Sequence, residues 1–375
     1  MARVVLVTPA SLPSPWAHGH SLVEQAHALA GIGAPTALVH GGRSDADVRA
    51  MYALESEFEL LGTGAQRFPV EAAASLAVAR AAATAFPEGR FVTRSALAAL
   101  FLAGRNRAVA LELHRRPVGA RAIAVRVLAT RPSLVTAIGI TEGLRSDLVR
   151  LGMAPERTAV VPTGVALGRF DNLPSRVDAR AELEVPEDGP LVGYVGRLRK
   201  RTYGEKGVGD LIAAVARLPG SSAARLAIVG GPADAVPDYA RHAAEAGIGP
   251  RSIFPGHVEY ARVPLWIRAC DVVALPLPLG EYGAHSTSPL KLFEYMAAGS
   301  AIVATDLPTT RPYLRDGENA LLVPAGRPEA LATALGRLLA DDALRDRLGA
   351  AARADAPSHS WTRRAEALAR HLGIS

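Results

Sequence analysis

The stretch Ser286-Thr287-Ser288-Pro289-Leu290-Lys291-Leu292-Phe293-Glu294-Tyr295-Met296-Ala297-Ala298-Gly299 concentrates more chemistry than any other part of this 375-residue chain. It reads as a helix. Thr287 or Ser288 can cap it, Pro289 suits the first helical position, and Gly299 fits the stop. The N–H groups that open a helix carry a partial positive charge, so those over Ser288–Leu290 favour an anion such as phosphate. Glu294, the single acid of the stretch, stands about a turn and a half further in, within reach of hydroxyls on the same ligand. Phosphate at the tip and hydroxyls beside it describe a nucleotide.

Other reactive types fall at the ends of apolar runs. Arg197 follows Gly193-Tyr194-Val195-Gly196, and Lys206-Gly207 opens the next helical pattern. His114 follows Leu111-Glu112-Leu113, and Arg94 follows another strand. The loop Pro13–His20, with His18, Gly19 and His20, follows the first strand. In open α/β sheets ligands sit beyond the carboxyl ends of strands, so all of these could face one cleft between domains. His18 and His20 lack a third ligand nearby in sequence and make a poor metal pair. Asp45-Ala46-Asp47 resembles a metal-binding carboxylate pair, but its place between a polar turn and a helix start fits capping better.

The elements that must position these residues alternate. Apolar runs at 3–7, 36–39, 108–113 and 133–138 predict strands in the first half, with helices near 20–31, 71–86, 95–103, 119–129 and 141–151. The second half predicts strands at 190–195, 225–230, 271–275, 301–304 and 320–323. Its helices are predicted at 207–218, 235–246, 260–269, 289–298, 327–339 and 341–353. A last helix, 358–372, carries Trp361. Such alternation argues for an α/β fold of parallel sheets covered on both faces. The polar, turn-rich 171–188 stretch separates two doubly wound, Rossmann-like domains.

Composition excludes several classes. One cysteine, Cys270, rules out an internal disulfide framework and suits a reducing cytosol. The apolar run after Met1-Ala2-Arg3 is too short for a signal peptide and reads as a first strand. No run approaches a membrane span. The expected localisation is cytoplasmic. The formal net charge is +6, and Arg90–Arg131 holds nine arginines against one acid, Glu112. That cluster suits peripheral contact with anionic lipid or an anionic acceptor. It lacks interleaved aromatics, so no nucleic-acid partner is expected.

Taken in order, these pieces resemble the retaining glycosyltransferases of family 4, which have the two-domain GT-B fold. Ile138-Gly139-Ile140-Thr141-Glu142-Gly143-Leu144 and Val161-Pro162-Thr163-Gly164-Val165 through Phe170 resemble that family's approach between domains. Gly196-Arg197-Leu198 with Lys206-Gly207 resembles its phosphate-binding pair. Phe254-Pro255-Gly256-His257-Val258 resembles the part that contacts the base. Ala269-Cys270-Asp271-Val272 precedes the Glu294 helix, and Asp316-Gly317-Glu318-Asn319-Ala320 to Pro324 resembles the closing strand.

The resemblance implies an acceptor-binding domain over 1–173 and a nucleotide-sugar domain over 174–357. The terminal 358–375 helix would cross back to the first domain. It implies transfer of a hexosyl group from a nucleoside-diphosphate sugar, uridine first and guanosine next, with retention and without a metal or other cofactor. Arg197, Lys206 and His114 would be catalytic. Gly196, Val258, Ser288, Pro289, Leu290 and Glu294 would join Arg197 and Lys206 in binding the donor. His18, Gly19, His20, Arg94 and Ser286 would lie on the acceptor or sugar side. The acceptor could be a glycan, a lipid-linked sugar or a small molecule.

Two departures stand out. Where the family often has a glutamate eight residues before Glu294, this chain has Ser286, with Glu281 and Tyr282 upstream. The loop Arg199–Gly204 is longer than is common and could close over the donor. A sugar-nucleotide epimerase of the same fold, or a protein that binds a nucleotide sugar without transferring it, are the alternatives.

Overall fold

The computed structural model describes residues 2–14, 17–43, 45–52, 57–67, 70–200, 204–219 and 224–374. The chain divides into two compact units. The first holds Met1–Gly164, His285–Ser288 and His359–Ser375; the second holds Val165–Ala284 and Pro289–Ser358. The division falls at Gly164, ahead of the polar 171–188 stretch, because Val165 and Phe170 are buried in the core of the second unit.

The first unit is built on β1 (Val4–Thr8), β2 (Thr36–His40), β3 (Glu59–Gly62), β4 (Arg90–Thr93), β5 (Val109–Leu113), β6 (Leu134–Gly139) and β7 (Thr158–Val160). They form one sheet of seven strands in the order β3-β2-β1-β4-β5-β6-β7. Every pairing in it is parallel. Its helices are α1 (Ala17–Gly31), α2 (Asp45–Tyr52), α3 (Glu71–Ala85), α4 (Ala96–Ala103), α5 (Ala120–Ala129) and α6 (Glu142–Arg150). The apolar runs that announce β1, β2 and β5 are buried throughout, as parallel strands covered on both faces must be. By contrast, β3, β4 and β7 carry no such run and lie outside the predicted strands.

The second unit has α7 (Arg176–Glu182), β8 (Leu191–Val195), the two-residue strands β9 (Arg199–Lys200) and β10 (Gly204–Glu205), α8 (Val208–Ala216), β11 (Arg225–Val229), α9 (Val236–Glu245), β12 (Ser252–Gly256), α10 (Val263–Ala269), β13 (Val272–Leu275), α11 (Leu290–Ala297), β14 (Ala301–Thr305), β15 (Leu321–Val323), α12 (Pro328–Ala340) and α13 (Asp342–Asp355). Its main sheet has six strands in the order β12-β11-β8-β13-β14-β15. Alternation along a strand sends neighbours to opposite faces. Thus Val192, Tyr194, Val272 and Ala274 join the core on one face, and Leu191, Val195, Val273 and Leu275 the core on the other. Cys270 is a core residue whose thiol burial pushes up to about 12, out of reach of ordinary redox chemistry.

The last helix, α14 (Trp361–His371), belongs to the first unit. Ser360 caps it by accepting from Arg363 N. β9 and β10 pair antiparallel at the ends of the Arg199–Gly204 insertion, whose residues 201–203 lie outside the described set. Among the described residues no helix is long and apolar enough to cross a membrane.

Candidate active site

Strand order reverses between β8 and β13 in the second unit, and between β1 and β4 in the first. A doubly wound sheet opens a crevice at such a point, beyond its strand ends. Of the residues singled out above, Arg94 follows β4 and Arg197 follows β8, at these two places, while His114 follows β5 and Val258 follows the edge strand β12.

In the second unit the chain leaves β8 through Gly196 and Arg197. Gly196 N donates to Val229 O at 2.8 Å and Leu198 N to Gly231 O at 2.9 Å, which ties this turn to the end of β11. Tyr194 Oη donates to Arg197 O at 2.7 Å, and the Arg197 side chain is half-buried. Lys206 is nearly fully buried just ahead of α8, its Nζ 3.0 Å from the centroid of the Tyr282 ring. A cation over an aromatic face is held by the ring quadrupole. Gly207 follows in the left-handed region, with φ +79°, and a Cβ there would stand 1.5 Å from Pro276 O. Only glycine lets α8 start this close to the loop after β13, which fixes where Lys206 sits.

Tyr282 lies in the π-helical turn Glu281–Ser286, so the stretch upstream of α11 supplies an aromatic partner for Lys206. α11 brings Glu294, half-buried, to the same unit as Arg197 and Lys206. Val258 follows β12 and packs partly buried against the core.

The opening of α11 differs from expectation. The helix begins at Leu290 with Pro289 at the N-cap, and no side chain caps it. Ser288 is occupied elsewhere: its Oγ accepts from Thr163 N at 3.0 Å, and Thr163 Oγ1 donates to Ser288 O at 3.0 Å. Pro289 has no N–H, so an anion at this helix start has Leu290 and the residues after it as donors rather than the whole of Ser288–Leu290. Ser286 is buried, and with Thr287 and Ser288 it groups with the first unit, whereas Pro289 onward groups with the second. There His285 Nε2 meets Asp147 Oδ2 at 2.6 Å and His285 O accepts from Thr141 Oγ1 at 2.6 Å.

In the first unit the sequence places a loop at His18-Gly19-His20, but α1 already starts at Ala17 and takes all three into its first turn. A Cβ on Gly19 would stand 2.6 Å from Tyr52 Oη, so this turn packs directly on α2. His20 is buried edge-on against Tyr52, with ring centroids 5.0 Å apart. Asp45 does not cap α2 either; it is the first residue of that helix and its Oδ1 lies 3.0 Å from His40 Nε2. Among the described residues no group of three metal-ligating side chains occurs.

Sequence reasoning names His114 and Arg94 but not the residue that joins them. Glu112, 1% exposed, receives Arg94 Nε at 3.1 Å and His114 Nε2 on one oxygen. Arg364 of α14 reaches its other oxygen at 2.5 Å. Arg364 also donates to Val161 O and Pro162 O. Burial pushes the Glu112 carboxyl up, but Arg364, Arg94 and His114 outweigh it and hold it well below the usual range. Burial, with Arg94, lowers His114 to about 4, against the opposite pull of Glu112. A neutral His114 donates from Nε2 to the carboxylate and presents Nδ1 as an acceptor. Arg94 Nη1 donates to Ser21 Oγ of α1 at 3.1 Å, and its Nη2 is buried without a hydrogen-bond partner among the described residues. Two guanidiniums around one carboxylate leave the cluster one positive charge in excess. An acid inside the otherwise apolar Val109–Leu113 strand is the sequence signal for it, since a buried carboxylate demands cations.

The arginine-rich 90–131 segment is less of a surface than its composition suggests. Arg94 turns inward, and Arg90 donates to Leu372 O at 2.6 Å. Arg105, Arg116, Arg126 and Arg131 are exposed. Beside them Val118 and Ile123 are also exposed, by 66% and 60%.

Residues 189–341 match the family model described as Glycosyl transferases group 1. The chain is 34% identical over 252 residues to the D-inositol 3-phosphate glycosyltransferase of Xylanimonas cellulosilytica, covering 65% of this chain and 57% of that protein. It is 36% identical over 228 residues to the protein of the same name from Nocardia farcinica, covering 59% and 49%. The chain thus spans about half the length of the curated relatives it matches. Among solved structures, sucrose-phosphate synthase from Thermosynechococcus elongatus superposes with a TM-score of 0.78 at 21% identity, over 99% of this chain and 98% of that one. HepE of Anabaena, in complex with UDP and glucose, superposes with a TM-score of 0.76 at 18% identity, over 100% of both chains. At these identities the likeness is one of fold.

Proposed function

We propose that this chain, which belongs to the group 1 glycosyl transferases through residues 189–341 and has the GT-B fold, transfers a hexosyl group from a nucleoside-diphosphate sugar to an acceptor hydroxyl. The observation that carries the reading is that Arg197, just past β8, and Lys206, stacked on Tyr282 where α8 starts against the loop after β13, both belong to the unit that presents Glu294. In the reaction the bond from the sugar's anomeric carbon to the diphosphate oxygen breaks and a bond to the acceptor oxygen forms. The acceptor's proton leaves with the diphosphate or passes to solvent. Negative charge grows on the leaving oxygen, and fixed cations beside it stabilise that charge more than they stabilise the intact donor. Arg197 and Lys206 supply those cations from side chains, so the step runs without a metal. Glu294 accepts hydrogen bonds from the ribose hydroxyls, and neutral His114 accepts one from a sugar or acceptor hydroxyl. Transfer proceeds with retention, as the resemblance to family 4 implies.

HepE, solved with UDP and glucose, supports uridine as the base and a hexose as the sugar. The relatives named for D-inositol 3-phosphate, together with the excess positive charge at Arg94, support an acceptor that carries an anionic group.

A thermal-shift panel of nucleoside diphosphates and nucleotide sugars tests the donor site. A ligand at a hundredfold its Kd stabilises by ~2.7 kcal/mol, which is roughly 5–10 °C for a unit of this size. UDP and UDP-hexoses are expected to give the largest shifts, guanosine counterparts the next. No shift with any nucleotide would overturn the reading. Slow release of nucleoside diphosphate from the bound donor then marks a transferase. Interconversion of two nucleotide sugars would mark an epimerase, and binding without turnover under any acceptor a non-transferring protein.

Peripheral contact with an anionic membrane is part of the same reading, supported by exposed Val118 and Ile123 among Arg116 and Arg126. Vesicles containing phosphatidylglycerol are expected to co-sediment the protein at low salt, and Ile123→Glu to reduce that recovery several-fold. Equal, salt-insensitive recovery in the supernatant with and without anionic lipid would sink it.

A further inference from the structure

Lys291 is a lysine in the first turn of a short helix, a position that reads as solvent-facing. Its side chain instead runs beneath the turn after β8. A Cβ placed on Gly196 would stand 2.7 Å from Lys291 Cε and 2.9 Å from its Nζ. The Nζ donates to Tyr194 Oη and lies 3.9 Å from the centroid of that ring. Tyr194 is fully buried and passes the interaction on, its Oη donating to Arg197 O. An amine, a phenol and a carbonyl thus form one chain that ends on the residue bearing the Arg197 guanidinium. The polar groups near the amine are the Tyr194 hydroxyl from β8 and the Glu294 carboxylate from its own helix, with Arg197 joined only through its backbone carbonyl. Burial lowers Lys291 to about 7, while Glu294 pulls it upward. Near neutral pH the amine is therefore divided between its two forms.

We propose that Lys291 is a third cation of the diphosphate site and that it takes up a proton when the donor's diphosphate arrives. The inference rests on the donor-site reading above. Gly196 has no side chain, so the amine approaches the strand-end crevice through the gap that a Cβ would fill. A diphosphate there brings two negative charges toward a desolvated amine, and opposite charge favours the ammonium. The resulting ammonium neutralises the leaving group together with Arg197 and Lys206, while the empty site does not have to hold three positive charges at once.

Calorimetric titration of the full chain with UDP-glucose, in two buffers of different ionisation enthalpy, counts the protons. The diphosphate of a nucleotide sugar is a diester with no group titrating near neutrality, so any uptake belongs to the protein. With Lys291 near 7, uptake is expected on the order of 0.7 proton per donor at pH 7.5, falling to about 0.1 at pH 6. Lys291→Arg, permanently charged, is expected to bind the donor without uptake. Lys291→Met is expected to lose the uptake and bind about tenfold more weakly. Binding of UDP-glucose without proton uptake in the natural protein, or full uptake in Lys291→Arg, would overturn this inference alone. Failure of both UDP-glucose and GDP-glucose to bind would overturn the donor-site reading and this inference with it. The natural protein and the Arg variant decide the matter even if the Met variant does not fold.

Discussion

Glu112→Gln is expected to lower the stability of the first unit by about 3–5 kcal/mol. The carboxylate sits 1% exposed between Arg94 and Arg364, and the amide that replaces it leaves the buried Arg364 guanidinium and the partly buried Arg94 guanidinium without a counter-charge. Removing one partner of a buried ionic network costs far more than the network contributes relative to an apolar substitute, because a buried charge such as that of Arg364 is left without compensation. An arginine cannot deprotonate to escape. For a unit of this size the loss corresponds to a fall in Tm of roughly 6–20 °C at neutral pH. The ion pair Arg3–Glu59 provides the control, with its glutamate 54% exposed: Glu59→Gln is expected to change stability by less than about 1 kcal/mol. Scanning calorimetry of the two variants makes the comparison. A Glu112→Gln protein melting within 2 °C of the parent (roughly the effect of 1 kcal/mol) would show that the cluster does not hold the unit together.

The same cluster sets the acid sensitivity of the unit, and the signs follow from the shifts. The folded carboxyl of Glu112 titrates below its unfolded value, so its stabilisation is complete above the normal glutamate range and disappears as pH falls through the lower folded value. His114 titrates at about 4 when folded against 6.5 in the open chain. Between those values the unfolded chain binds more protons than the fold, so stability falls as pH drops from 6.5 toward 4. His114 thus begins the loss and Glu112 completes it.

What the sequence disclosed and what it hid follow from the range of the forces involved. β1 was legible because a strand covered on both faces has to be apolar at every position, and Val4–Val7 is. α8 and α11 were legible because their boundaries are local: Gly207 and Gly299 mark ends that few other residues can make. β4 was hidden because Arg90-Phe91-Val92-Thr93 is short and opens with an arginine whose partner, the carbonyl of Leu372, is remote in sequence. β3 and β7 lie at the two edges of the sheet, where half-exposed positions tolerate polar residues and erase the pattern. The site divides the same way. Arg197, Lys206 and His114 were legible as candidates because each stands just past a strand or before a helix, where sequence order alone implies a crevice. The surroundings of Glu112 and Lys291 were not legible because they depend on partners brought by the fold, Arg364 in one case and the bare Cα of Gly196 in the other. Ser288 misled because a serine before a helix competes for the cap on local grounds, and Thr163, remote in sequence, wins it.

Lys206→Met is expected to lower kcat by about 10²–10³ with little change in KM for the donor, and Arg197→Met by about 10–10². In the proposed reaction both cations meet charge that grows as the diphosphate departs, so their loss is expected in the transition state more than in the bound donor. They are not equivalent. Lys206 is 3% exposed against the Tyr282 ring, whereas the Arg197 side chain is only half-buried. Water screens the second and not the first, so the same charge counts for more at Lys206. Lys206→Arg is not expected to restore activity, because a planar guanidinium does not fit the space of a compact ammonium stacked on a ring. Loss of folding does not mimic this result: a thioether in place of a buried ammonium removes a desolvation cost, so the Lys206→Met protein is expected to melt at the parent's temperature or above. Steady-state kinetics with a saturating acceptor, alongside calorimetry of each variant, provide the test. Parent-like kcat in Lys206→Met would remove this lysine from the leaving-group site. A fall in Tm accompanying the lost activity would make its role one of holding the β13 loop rather than of stabilising charge.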